Sequence, residues 1–82
     1  MVTVLFDPSF QKLFSKIRDP AVKERVIKMI SKLKDAPDLG KPMMYARQGT
    51  RELYIPPFRL SYLFLKEEEK VILLDLYHKD EQ

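Results

Sequence analysis

Asp-Pro occurs twice near the start of the chain, at Asp7-Pro8 and Asp19-Pro20, and each pair dictates the same local event. Aspartate accepts hydrogen bonds from the open amides of a helix's first turn, and proline at the first helical position gives up an amide that would have no partner there. Two helices therefore begin at these points. Behind the first, Phe10, Leu13, Phe14 and Ile17 recur at three- and four-residue spacing. Behind the second, Val22, Val26, Met29, Ile30 and Leu33 line one face, with Lys23, Lys28 and Lys32 off it. Arg18 and Asp19 leave almost no loop between the two, so the helices fold back or cross at an angle and both can cover one sheet.

The remaining punctuation sets strands. Val2 to Phe6 is apolar and β-branched and stops at the first Asp-Pro. Two prolines and a glycine in "DAPDLGKP", Asp35 to Pro42, end the second helix. Beyond it, Met43 to Arg47, Arg51 to Ile55, Phe58 to Leu65 and Val71 to Tyr77 read as strands, with turns at Gln48-Gly49, Pro56-Pro57 and Lys66 to Lys70. Proline cannot donate to a sheet ladder, which puts Pro56 and Pro57 in the turn itself. The charge run Lys66 to Lys70 reads as a solvated hairpin end. Strand, two helices and then several strands is the order of an α+β domain: an N-terminal strand, a helical hairpin and an antiparallel meander with the helices on one face. At 82 residues, the expectation is one domain spanning 1–82.

Hydrophobic residues at 45% and charged residues at 33% suit a folded, soluble protein rather than a disordered one. No apolar run approaches the roughly 20 residues that span a bilayer, and Met1 to Phe6 is too short for a signal peptide, so a cytoplasmic location without membrane attachment is expected. The absence of cysteine excludes disulfides and thiolate metal sites, and a single histidine, His78, excludes a site of several imidazoles; neither metal nor cofactor is expected. The net charge of +3 is unevenly placed: residues 1–50 carry ten Lys or Arg against five acids, and residues 51–82 carry five against seven. A basic amino-terminal part is compatible with nucleic acid and equally with a solvated helix face.

Strand alternation assigns faces. Leu53 and Ile55 fall on the helix side and Glu52 and Tyr54 opposite; Phe58, Leu60, Tyr62 and Phe64 fall on the helix side and Arg59, Ser61, Leu63 and Leu65 opposite. In the last strand Ile72, Leu74 and Leu76 are expected inside, leaving Val71, Leu73, Asp75 and Tyr77 outside. These assignments gather Glu52, Tyr54, Arg59, Ser61, Asp75 and Tyr77 on the open face, beside an apolar area of Leu63, Leu65, Val71 and Leu73 that invites a protein partner. The polar end has the character of a recognition or catalytic site, or of a surface ion pair between Arg59 and Asp75 or Glu52. Arg51 lies with Leu53 by alternation but reaches solvent at the first strand position, where it is a structural residue or an RNA contact. His78 falls where the last strand frays, and histidine is a residue type that can donate a proton to a leaving group.

The meander containing "PPFRLSYLF" followed by "VILLDLYHKDEQ" resembles the RelE/ParE superfamily of toxins from toxin-antitoxin modules over essentially the whole chain. The family's Tyr-Arg-Leu-hydrophobic-Tyr strand is matched by Phe58-Arg59-Leu60-Ser61-Tyr62, and the basic segment after its last strand by His78-Lys79. The resemblance implies a RelE-like toxin that enters the ribosome, cleaves mRNA there with the 2′-hydroxyl as nucleophile, and is silenced by a cognate antitoxin. It implies Arg59 on the scissile phosphate, a role suited to a guanidinium fork. It also implies Lys79 as a second phosphate contact and His78 near a histidine acid of one branch. The sequence departs from the family where two open-face lysines are replaced by Glu52, a candidate general base, and Tyr54. A tyrosine that many relatives carry beyond the final strand has no counterpart before Gln82; Tyr54 and Tyr77 are the candidates to stack on RNA in its place. Two alternatives share the fold: a ParE-like toxin that inhibits DNA gyrase without nuclease chemistry, and a degenerate homologue that binds antitoxin or RNA only.

Overall fold

The computed structural model describes residues 2–44 and 48–78. Strand β1 (Thr3–Phe6) runs into helix α1 (Pro8–Ser15), and α2 (Pro20–Asp35) follows after a four-residue link. Both Asp-Pro pairs act as read: the Asp7 carboxylate accepts from the Ser9 amide and that of Asp19 from the Ala21 amide, each at 2.9 Å. After α2 come β2 (Lys41–Pro42), β3 (Thr50–Ile55), β4 (Phe58–Leu65) and β5 (Lys70–His78). Pro56 and Pro57 turn the chain between β3 and β4 across a cis peptide bond.

The five strands form one sheet in the order β1-β5-β4-β3-β2. The β2-β3, β3-β4 and β4-β5 pairs are antiparallel, but β1 lies parallel to β5, so the meander ends by pairing with the first strand and the sheet is mixed. Phe10 of α1 and Ile17 of the link after it join Val22, Val26 and Leu33 of α2 in a core with Ile55, Leu60, Tyr62, Val71, Leu73 and Leu76 of the sheet. Both helices thus cover one face, as an amphipathic helix with one apolar stripe requires.

Tyr62 is the polar exception inside that core. Its hydroxyl accepts from the Gly40 amide at 2.8 Å and donates to the Pro37 carbonyl at 2.9 Å, tying the loop after α2 to the middle strand. A Cβ on Gly40 would lie 2.8 Å from both the Tyr62 ring and the Glu52 carbonyl, so only glycine permits this approach. Arg51 reinforces the same loop, donating to the carbonyls of Asp38 at 3.1 Å and Gly40 at 2.6 Å.

The structure corrects three expectations. The segment expected as a strand at Met43–Arg47 is not one at Met43 and Met44; pairing with β3 occurs earlier, at Lys41–Pro42, and Tyr45, Ala46 and Arg47 lie outside the described residues. In β5, Val71 and Leu73 face the helices rather than the open side, because the register shifts between Ser61 and Tyr62: Ser61 pairs with Asp75 and Tyr62 with Leu73, leaving Leu74 as the extra residue of a bulge. The expected apolar docking area consequently dissolves. Val71 and Leu73 are in the core, and Leu63 is fully buried with Gly49 close against it. Ser61 Oγ lies 3.8 Å from Met43 Sδ, and a Cβ at Gly49 would sit 3.3 Å from Leu63 Cδ1.

Candidate functional site

The bulge that inverts the start of β5 leaves its end in the expected phase, and this builds the site. Leu76 stays in the core while Tyr77 points to the open face. Cross-strand register then places Tyr54, Arg59 and Tyr77 in one row over β3, β4 and β5, with Glu52, Ser61 and Asp75 in the next. Side chains directly opposite on adjacent strands stand about 5 Å apart, so each row is a contiguous surface.

Glu52 is the centre of the cluster. One carboxylate oxygen lies 2.5 Å from Arg59 Nη1 and the other accepts from the Tyr77 hydroxyl, so the carboxylate of β3 is tied to β4 and, across it, to β5. The Tyr77 hydrogen bond and, after it, the Arg59 guanidinium hold the Glu52 carboxyl below the usual carboxylate range, against partial burial acting the other way. Arg59 also lies against the face of Tyr54, its guanidinium carbon 5.9 Å from the ring centroid. The Arg59 Nε is buried with no hydrogen-bond partner among the described residues, so Glu52 uses only part of the guanidinium fork. Tyr54 is half exposed, at 49%, and Arg59 and Glu52 keep 30% and 22% of their side chains open to solvent.

Of the sequence-derived candidates, the structure therefore brings together Glu52, Tyr54, Arg59 and Tyr77. Asp75 shares the face, but its carboxylate accepts from the adjacent Leu76 amide at 2.8 Å. His78 does not join the cluster. It pairs with Phe58, and its ring meets the Phe58 ring edge-on at 5.8 Å on the helix side of the sheet, because it follows Tyr77 in strand alternation. Arg51 also lies away from the cluster, with its guanidinium on the Asp38 and Gly40 carbonyls. Lys79 lies outside the described residues.

Nothing in the sequence connects α2 with Tyr54. Arg25, Lys28 and Lys32 line a groove with Tyr54, Ile55 and Pro56 at the end of β3 that β2 does not cover. Their helical spacing is visible in the sequence, but which strand they flank is not. No group of acidic or histidine side chains able to hold a metal ion occurs among the described residues. None of the described helices is long and apolar enough to cross a membrane.

The family described as ParE toxin of type II toxin-antitoxin system, parDE, matches residues 4–82. The structure is similar to isolated E. coli RelE toxin, with a TM-score of 0.81 and 16% identity over 95% of this chain and 84% of that one. It is similar to the toxin-antitoxin complex RelBE2 from Mycobacterium tuberculosis, with a TM-score of 0.78 and 26% identity over 95% of this chain and 98% of that one. An archaeal RelE-RelB complex from Pyrococcus horikoshii gives 0.79 and 11% over 99% of this chain and 98% of that one. No curated protein sequence matches.

Proposed function

The chain belongs to the ParE toxins of type II toxin-antitoxin systems and has the RelE fold, and from that premise we propose that it acts as a metal-independent endoribonuclease on mRNA in the ribosome. The observation that carries this reading is the row Tyr54-Arg59-Tyr77 with Glu52 bridging across it: an anion already sits on the arginine, and it is a carboxylate supplied by the protein.

An RNA phosphate entering the row displaces Glu52 from Arg59, because the guanidinium fork matches a phosphate as well as a carboxylate and its strength suits the charge that develops on phosphorus. Glu52 then loses the Arg59 contact, one of those that depress its pKa, and becomes a better base at the moment substrate arrives. It takes the proton of the 2′-hydroxyl, O2′ attacks phosphorus, and the bond from phosphorus to O5′ breaks. The Tyr77 hydroxyl, reaching in from the opposite strand, gives its proton to O5′. The products are a 2′,3′-cyclic phosphate and a 5′-hydroxyl end. Glu52 is then protonated and Tyr77 ionised, and their direct contact returns the proton without a metal. Tyr54 supplies a stacking face for a base beside the scissile phosphate. His78 has no part in this scheme, since its ring packs on Phe58.

A cognate antitoxin is the partner that restrains the toxin. The neutralised Arg59 also favours a second reading, a ParE-like toxin that inhibits DNA gyrase without cutting RNA. The two are separated by inducing wild type and Arg59→Ala in cells lacking the antitoxin, at equal soluble abundance, with primer extension on a reporter mRNA. Growth arrest with cuts inside translated codons, both lost in the variant, is the expected result. Arrest without cuts, accompanied by lost supercoiling, sinks the nuclease reading in favour of gyrase.

A further inference from the structure

The groove between α2 and the uncovered end of β3 has a volume of about 210 Å³, with Ile55, Pro56 and the side of Tyr54 forming its strand wall and Arg25, Lys28 and Lys32 its helix wall. The three cations recur at three- and four-residue spacing and so stand on one side of the helix. Their neighbours do not cancel them. Arg25 donates through one nitrogen to the Pro56 carbonyl at 3.1 Å, and Lys28 makes only a loose, exposed pair with Glu24 at 3.8 Å. Among the described residues, no acidic side chain lines the groove. Tyr54 belongs to both places, forming part of the groove and lying against Arg59.

We infer that this groove is a second subsite for single-stranded RNA, holding the sugar-phosphate backbone next to the phosphate at Arg59. The inference deepens the nuclease reading and rests on it. Tyr54 is the corner: a base stacked on its exposed ring is flanked by one phosphate at Arg59 and the next at the α2 cations, the pairing of aromatic platform and basic groove that suits a strand with unpaired bases. A duplex keeps its bases stacked inside and offers none to Tyr54, and the carboxylate side chains of an acidic peptide carry no ring to stack there. The subsite gives the toxin a grip on the strand that survives when Glu52 still occupies Arg59.

The test uses the full chain, a short single-stranded RNA carrying a 2′-O-methyl group at each position so that it cannot be cut, and the double variant Lys28→Ala/Lys32→Ala. Both lysines are exposed helix positions outside the core, and circular dichroism and thermal melting verify that the variant folds. The expected result is roughly tenfold weaker binding near 0.1 M salt and a log-log salt slope shallower by about 1.4, twice the roughly 0.7 per phosphate contact of a single strand. Unchanged affinity and slope would overturn the subsite, and so would an equal loss of binding to duplex DNA, which would make the lysines a general polyanion patch. Cleavage of mRNA on ribosomes by wild type and Arg59→Ala, run in parallel, reads the underlying activity separately. Absence of Arg59-dependent cuts there refutes the nuclease reading itself.

Discussion

Replacing Glu52 by glutamine keeps the shape of the side chain and removes its charge, which separates the two roles given to it. In the free protein the carboxylate is held by Arg59 at 2.5 Å and by the Tyr77 hydroxyl. Hydrogen bonds to charged groups contribute roughly 1.5 to 3 kcal/mol when shielded, and with 22% and 30% of the two side chains exposed the Arg59 contact retains about 1 to 1.5 kcal/mol. A phosphate must overcome that amount to reach Arg59. Glu52→Gln therefore binds uncleavable RNA about tenfold more tightly, since 1.4 kcal/mol is a factor of ten. Its cleavage rate on ribosomes falls by about 10² to 10⁴, the usual contribution of a general base. Fluorescence anisotropy reads the first and single-turnover cleavage the second. Unchanged RNA affinity would refute the competition at Arg59, and cleavage at the wild-type rate would remove Glu52 as the base.

Three further outcomes follow from contacts away from that exchange. Tyr62→Phe removes the hydroxyl that ties Gly40 and Pro37 to β4 and is expected to cost about 1 to 3 kcal/mol in urea unfolding, with an unchanged stability counting against the buried tie. His78→Ala should leave the cleavage rate within about twofold of wild type at equal folded fraction, because its ring packs on Phe58; a loss near the 10² expected of a general acid would restore His78 to the reaction. Glu52 has a folded-state pKa below its ordinary 4.5, so its contribution to stability is present above that value and is lost as pH falls through the folded pKa. The stability difference between wild type and Glu52→Gln should be constant near neutral pH and close on acidification below about 4.5, as pH-dependent melting can show.

The elements legible in the sequence are those fixed by local chemistry. Asp7-Pro8 and Asp19-Pro20 set both helix starts, and strict alternation in β3 and β4 put Glu52, Tyr54 and Arg59 on one face. What the sequence hid depends on partners distant along the chain. "VILLDLY" is apolar at nearly every position, so nothing in it marks Leu74 as the bulged residue, and the inside and outside of its first half were exchanged. His78 is expected where the strand frays, but β5 runs through it and pairs it with Phe58, which sets its side. The pairing of β1 with β5 in parallel, the cover over Leu63 and the meeting of α2 with Tyr54 are likewise products of tertiary packing.

The central claim is that Arg59 holds a phosphate of mRNA while its strand is cut. The direct measurement places purified toxin on translating ribosomes stalled with a defined codon in the A site and maps new 5′ ends for wild type and Arg59→Ala, both verified as folded. The account predicts cuts within that codon carrying 5′-hydroxyl ends, reduced by about 10² to 10³ in the variant, the usual effect of removing one such charge-stabilising group. Cuts of equal rate in both proteins, or intact mRNA with the wild type, would contradict it.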